Sequence, residues 1–177
     1  MDFNDVRGRK VVLVPHCLLN QNARLARCAE RPCGVTEVVE GLLARGIGII
    51  QMPCPELMLL GLDRERIHIR SGLSSFPVRA ALRAMARDLV FQIRQYQGCG
   101  VAVLGVLGKN NSPSCGVETT WYRLESGPGM GVFIEELKAE LAAQGIDIPM
   151  AGTLDAEPAA ALASVDAWLG QAPTATA

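Results

Sequence analysis

A chain of 177 residues, 49% of them apolar, is long enough to bury one core of its own and lies outside disordered and fibrous compositions. Seventeen basic residues against eighteen acidic ones give a net charge of −1, which provides no whole-chain field for nucleic acid or an anionic membrane and points to small-molecule partners. Residues 1–7 hold no apolar signal-type stretch, and no apolar run approaches the roughly 20 residues of a membrane helix, so a cytoplasmic and reducing location is expected.

The run Arg9-Lys10-Val11-Val12-Leu13-Val14-Pro15 is continuous and β-branched, as in a strand covered on both faces of a parallel sheet. From 34 to 45 the apolar residues Val35, Val38, Val39, Leu42 and Leu43 recur at helical spacing and Gly46 closes the run, which predicts an amphipathic helix with a glycine stop. A second strand is predicted over 47–52. An irregular stretch follows Pro53, and a long helix over 78–97 carries Ala81, Leu82, Met85, Leu89, Ile93 and Tyr96 on one face.

Residues 101–107 read as a third buried strand, and the Gly-, Asn-, Ser- and Pro-containing segment 108–116 as the loop leaving it. A helix over 130–144, a short fourth strand over 146–150 and a helix over 157–169, with Asp155 as its N-cap, complete the pattern. The alternation predicts a single Rossmann-like, doubly wound α/β domain over 1–170, with a mainly parallel sheet of about four to five strands. The end of the chain, from 170 or 171 to 177, is expected to be a flexible tail.

In such sheets the ligand site lies beyond the carboxyl ends of the strands. That rule sorts the six cysteines. Cys17 and Cys54 each fall two residues past a predicted strand and Cys115 falls in the loop leaving the third, so all three are delivered to one edge. Any one of them alone would read as a small buried hydrophobe. Together they sit in Val14-Pro15-His16-Cys17, Met52-Pro53-Cys54-Pro55-Glu56 and Ser112-Pro113-Ser114-Cys115-Gly116, segments that leave backbone N–H groups free to face anionic sulfur. Three thiolates leave a fourth metal position open, which fits a 4Fe-4S cluster with one iron not ligated by protein better than mononuclear zinc. His16 keeps the zinc reading open.

These three motifs, in this order and over about residues 9–120, resemble the thiouracil desulfidase family. The resemblance implies an α/β domain that holds a 4Fe-4S cluster through Cys17, Cys54 and Cys115 and removes sulfur from a thiolated small molecule, without redox change, as sulfide. It also implies that Glu56 and one of Ser112 and Ser114, with Ser112 preferred, manage a water beside the cluster. A carboxyl group at Glu56 against apolar walls would have a raised pKa, suited to a general base. Asn20-Gln21-Asn22-Ala23-Arg24 and Leu57-Met58-Leu59-Leu60-Gly61-Leu62 differ from the best-characterised members, and both segments are expected to face the substrate.

Other features are read more plainly. Cys28 and Cys33 have no second pair with which to form a metal site, and Cys99 lies at the opposite edge of the sheet. Arg64, Arg66, Arg70, Arg79, Arg83 and Arg87 form a basic stretch that could bind a nucleotide phosphate but reads first as a solvated helix face. The glycines match neither a phosphate loop nor a dinucleotide fingerprint. Two other functions use the same cysteines: a non-catalytic iron-sulfur or metal-binding sensor or redox module, and a sulfur transferase acting on tRNA, against which the neutral charge counts. Monomer and homodimer are both compatible with the sequence.

Overall fold

The first apolar run forms β1 (Lys10–Pro15), buried from Val11 onward, in a computed structural model that describes residues 5–171. The strand passes directly into the short α1 (His16–Leu19) and a 3-10 turn over Gln21–Ala23. Next come α2 (Thr36–Ala44), β2 (Gly48–Met52) and α3 (Pro55–Leu60). Proline at the first turn of α3 suits a position whose N–H has no helical partner. A 3-10 turn over Arg66–His68 leads through α4 (Ile69–Ser74) into the long α5 (Phe76–Gly98).

After β3 (Ala102–Lys109), a hairpin of β4 (Thr119–Tyr122) and β5 (Glu125–Pro128) forms a separate two-stranded sheet. The chain closes with α6 (Val132–Ala143), β6 (Met150–Thr153) and α7 (Pro158–Gln171). The main sheet has the order β2-β1-β3-β6 and every pair in it is parallel. This is the Rossmann-like α/β arrangement expected, with four strands.

The pleat of β1 divides the core in two. Val11 and Leu13 face a cluster with Leu82, Leu89 and Ile93 of α5 and Phe133 and Leu137 of α6. Val12 and Val14 face a second cluster with Val38 and Leu42 of α2 and Val165 and Trp168 of α7. Helices therefore cover both faces, which is why the central strands read as unbroken apolar runs. The chain winds outward from β1 to β2 and then returns across to β3, so the switch point falls between β1 and β3, where α/β sheets bind ligands.

Three expectations shift. The fourth strand lies at Met150–Thr153 and not over 146–150, because Ile146 and Ile148 spend their apolar surface on the α5/α6 core and Pro149 has no N–H for the ladder. The hairpin after β3 was not foreseen, and its turn holds Arg123 at φ 76. Helix α7 extends through Gln171, so residues 170–171 are helical and the rest of the expected tail lies outside the described residues.

The pairing of β1 with β3 slips by one residue between Val11↔Val103 and Leu13↔Val106. Gly105 sits in that slip, where a Cβ would approach Pro149 O to 2.7 Å and the Trp168 ring to 2.9 Å. Gly105→Ala is therefore expected to cost about 1–3 kcal/mol by overpacking, read as a lower urea midpoint with an unchanged slope.

Candidate functional site

The adjacent strands β2, β1 and β3 each deliver one cysteine at the carboxyl edge. Cys17 lies in α1 just past β1, Cys54 between β2 and α3, and Cys115 in the loop after β3. All three line one cavity of about 340 Å³, together with His16, Glu56, Ser112 and Ser114. The Cys115 loop is tightly held: Lys109 N donates to Cys115 O at 2.7 Å and Gly116 N to Ser112 O at 3.1 Å. The first turn of α6 closes on it, with Phe133 N and Ile134 N donating to Ser114 O at 3.0 and 3.2 Å. Gly131 permits this approach, since a Cβ there would stand 2.3 Å from the Ser114 carbonyl.

Burial pushes the Cys17 thiol up to about 12, with Arg24 opposing and Cys54, Glu56 and Asp155 adding to the rise. Cys115 is raised well above the usual thiol range, first by burial and then by Cys17, and the Ser114 hydroxyl opposes the shift. Cys54 is raised by burial and held back by the Leu57 N–H, which reaches its sulfur at 3.4 Å. The three sulfurs thus lie in one another's field. All three shifts favour the thiol form, and a bound metal would take the sulfurs as thiolates. Among the described residues, no three His, Cys, Asp or Glu side chains are drawn together as a site for a single metal ion. The donor set is three soft sulfurs around a cavity large enough for a polynuclear group, which fits a cluster.

Glu56, 9% exposed, stands on the first turn of α3. Its Oε1 accepts from Ser114 Oγ at 2.6 Å and Ser112 Oγ at 3.2 Å, and its Oε2 accepts from Arg64 Nε at 3.2 Å. Its walls are therefore polar and not apolar as expected. The two serines differ. Ser112 Oγ also accepts from Ser114 N at 3.2 Å and Cys115 N at 3.0 Å, which shapes the loop, whereas Ser114, 2% exposed, makes the shorter contact to the carboxylate. Arg64 also donates to Gly61 O at 2.7 Å and Ala23 O at 2.9 Å, so it aims Glu56 while tying the segment after α1 to the end of α3.

Asp155, read from sequence as a helix cap, is instead the centre of a buried charge network. It is 1% exposed, with Lys109 Nζ 3.0 Å from Oδ1 and Arg24 paired to Oδ2. Gln21 bridges from Asp155 Oδ2 at 3.2 Å to Cys17 O at 2.9 Å. Arg24 and Lys109 line the cavity, and sequence reasoning missed them as a pair because their shared partner lies 131 residues from Arg24. Asp155→Ala strands the buried Lys109 and the partly buried Arg24 and is expected to cost about 3–5 kcal/mol, measured as loss of stability to denaturant.

Of the two segments expected to face the substrate, the first contributes Ala23 and Arg24 to the cavity, while Leu59 and Leu60 from the second pack against the core. Of the six arginines, Arg66, Arg83 and Arg87 are exposed, as a solvated face requires, but all except Arg87 have partners among the described residues. Arg66 lies over the Trp121 ring at 5.3 Å and donates to Cys28 Sγ at 2.6 Å, bringing Cys28 into the cavity wall. Arg70 and Arg79 pair with Glu135, and Arg79 and Arg83 with Glu136, fastening α4 and α5 to α6. Cys33 is exposed, and Cys99 follows α5 at the opposite edge. His16 lines the cavity with a buried Nε2 that has no hydrogen-bond partner. No helix among the described residues is long and apolar enough to cross a membrane.

No family model matches the chain. The uncharacterized protein MJ0003 of Methanocaldococcus jannaschii is 30% identical over 112 residues, which cover 63% of this chain and 70% of that protein. Among solved structures, the 4Fe-4S-dependent thiouracil desulfidase TudS aligns over 87% of this chain and 97% of its own, at 24% identity and a TM-score of 0.45.

Proposed function

This chain belongs to the family of the uncharacterized Methanocaldococcus jannaschii protein MJ0003, and on that premise we propose that it is a 4Fe-4S-dependent desulfidase of a thiolated small molecule. The observation that carries the reading is the meeting in one cavity of three buried thiols from adjacent strand ends with a carboxylate held by two hydroxyls. The ordered motifs around Cys17, Cys54 and Cys115 support the same substrate class, a thiopyrimidine such as thiouracil or another thioamide.

Cys17, Cys54 and Cys115 would hold the cluster, leaving one iron without a protein ligand. When bound, that group supplies a soft Lewis acid for the substrate's sulfur, which makes the thiocarbonyl carbon open to attack. Glu56 is the general base. Its Oε1 takes a proton from a water whose oxygen bonds to the thiocarbonyl carbon. The proton of the added hydroxyl passes to the sulfur as the C–S bond breaks, and the sulfur leaves with the bonding pair as hydrosulfide while Glu56 keeps the first proton, so C=S becomes C=O with no net redox change. Ser114 holds Oε1 in place and Ser112 keeps both the serine and the cysteine amides in register. Arg64 fixes the other carboxylate oxygen and so the face that Glu56 presents.

The test is anaerobic reconstitution with iron and sulfide, followed by assay of sulfide release from 2-thiouracil and 4-thiouracil. A brown, iron-loaded protein that releases sulfide is the expected result. A chain that loads zinc, or no metal, overturns the reading. A loaded chain that leaves thiolated compounds intact supports the binding-module reading instead.

A further inference from the structure

The charge network around Asp155 does not balance itself. The fully buried Asp155 carboxylate takes two cations, Lys109 at 5% side-chain exposure and Arg24 at 17%. Its other contacts bring no net charge: Gln21 is neutral, and Arg31, which donates to Asp155 O, pairs with Glu37. Nearby, Glu56 and Arg64 balance each other, while Arg27 and Glu30 are exposed at the rim, where water screens them. One positive charge is therefore left in excess on Asp155, Lys109 and Arg24. Charge taken largely out of water is costly unless it is paired. Both Arg24 and Lys109 line the cavity, so an anionic occupant of the cavity is placed to balance them.

Of the two cations, Arg24 is the one tied to a candidate ligand. The buried Gln21 side chain donates both to Asp155 Oδ2 at 3.2 Å and to Cys17 O at 2.9 Å, so the carboxylate that grips Arg24 is fixed to the turn that carries Cys17. Arg24 N in turn donates to Gln21 O at 3.0 Å. In keeping with this placement, the Arg24 charge opposes the burial shift of the Cys17 thiol, and does so more strongly than Asp155 adds to it. A 4Fe-4S core held by three thiolates is a net anion, and the charge around it helps to set its reduction potential. We propose that Arg24, held by Asp155 and Gln21, is the counter-charge of a 4Fe-4S group on Cys17, Cys54 and Cys115. This rests on the cluster reading above. Arg24 then acts through space and not as a ligand, and it favours the more negative, reduced state of the cluster.

The midpoint potential of the anaerobically loaded chain, measured without substrate, tests this in Arg24→Gln, Arg24→Lys and Arg27→Gln. Arg24→Gln, whose amide can still donate to Asp155, should hold the wild-type content of iron and sulfide at a lower potential. Arg24→Lys keeps the charge and should recover toward the wild type. Arg27→Gln removes an exposed cation from the same wall and should match the wild type. Should Arg24→Gln fail to fold or load, the double variant Arg24→Gln/Asp155→Asn removes both charges of the pair together, and its potential should still fall, since Arg24 outweighs Asp155 at Cys17. An unchanged potential in whichever of these two loads overturns the role of Arg24 alone. An equal fall in Arg24→Lys also overturns it, because the effect would then come from geometry and not from charge. A wild type that takes up no iron overturns the cluster reading and this inference with it.

Discussion

Alanine at Cys17, Cys54 or Cys115 is expected to reduce cluster content from about four irons and four sulfides per chain to near zero, with loss of the visible chromophore. Each thiol comes from a different segment of the chain, so no neighbour on the same segment replaces it. Cys28 shares the cavity, but its sulfur is engaged by Arg66 at 2.6 Å. The folded chain should survive each change, because a buried cysteine behaves as a small hydrophobe and its truncation costs about 1 kcal/mol. Near-native circular dichroism together with absent iron therefore assigns the loss to ligation. Cys33→Ala and Cys99→Ala serve as controls and should load fully. Full loading of any of the three ligand variants would remove that cysteine from the set.

Glu56→Gln is expected to lower sulfide release by about 10²- to 10⁴-fold, the usual weight of a general base, while iron content and spectrum stay at wild-type levels. The amide has the shape of the carboxylate and keeps one acceptor oxygen for Ser114 and Ser112. It cannot take a proton from water near neutral pH. Arg64→Gln should give a smaller loss, since it removes the group that aims Glu56 and not the base itself. Turnover within a factor of two of wild type in Glu56→Gln would exclude Glu56 from proton transfer and shift attention to Glu30, the other carboxylate in the cavity wall.

The central sheet was legible because β1, β2 and β3 are covered on both faces, so their apolar runs stand out without knowledge of any partner. The positions of Cys17, Cys54 and Cys115 were legible for a related reason: strand ends can be found in sequence, and parallel strands present their carboxyl ends at one edge. What could not be read was partnership across the fold. Asp155 resembles any acidic residue before a helix until Lys109 and Arg24 arrive beside it. Arg64 and Arg79 resemble surface residues until Glu56 and Glu136 are placed. The β4/β5 hairpin was missed although Thr119-Thr120-Trp121-Tyr122 has strand character, because only Thr120 in that short strand is buried and no apolar run marks it.

The sheet order β2-β1-β3 also fixes when the site can come into being. Cys17 and Cys54 meet once the first two strands pair, but Cys115 arrives only after the 23-residue α5 has been made and β3 has docked beside β1. The third candidate ligand is thus delivered by the step that completes the middle of the sheet, between two apolar clusters built from the chain's own side chains. On the cluster reading proposed above, the full ligand set would exist only once the sheet is complete, so loading would follow folding, unlike the small zinc domains that need metal in order to fold.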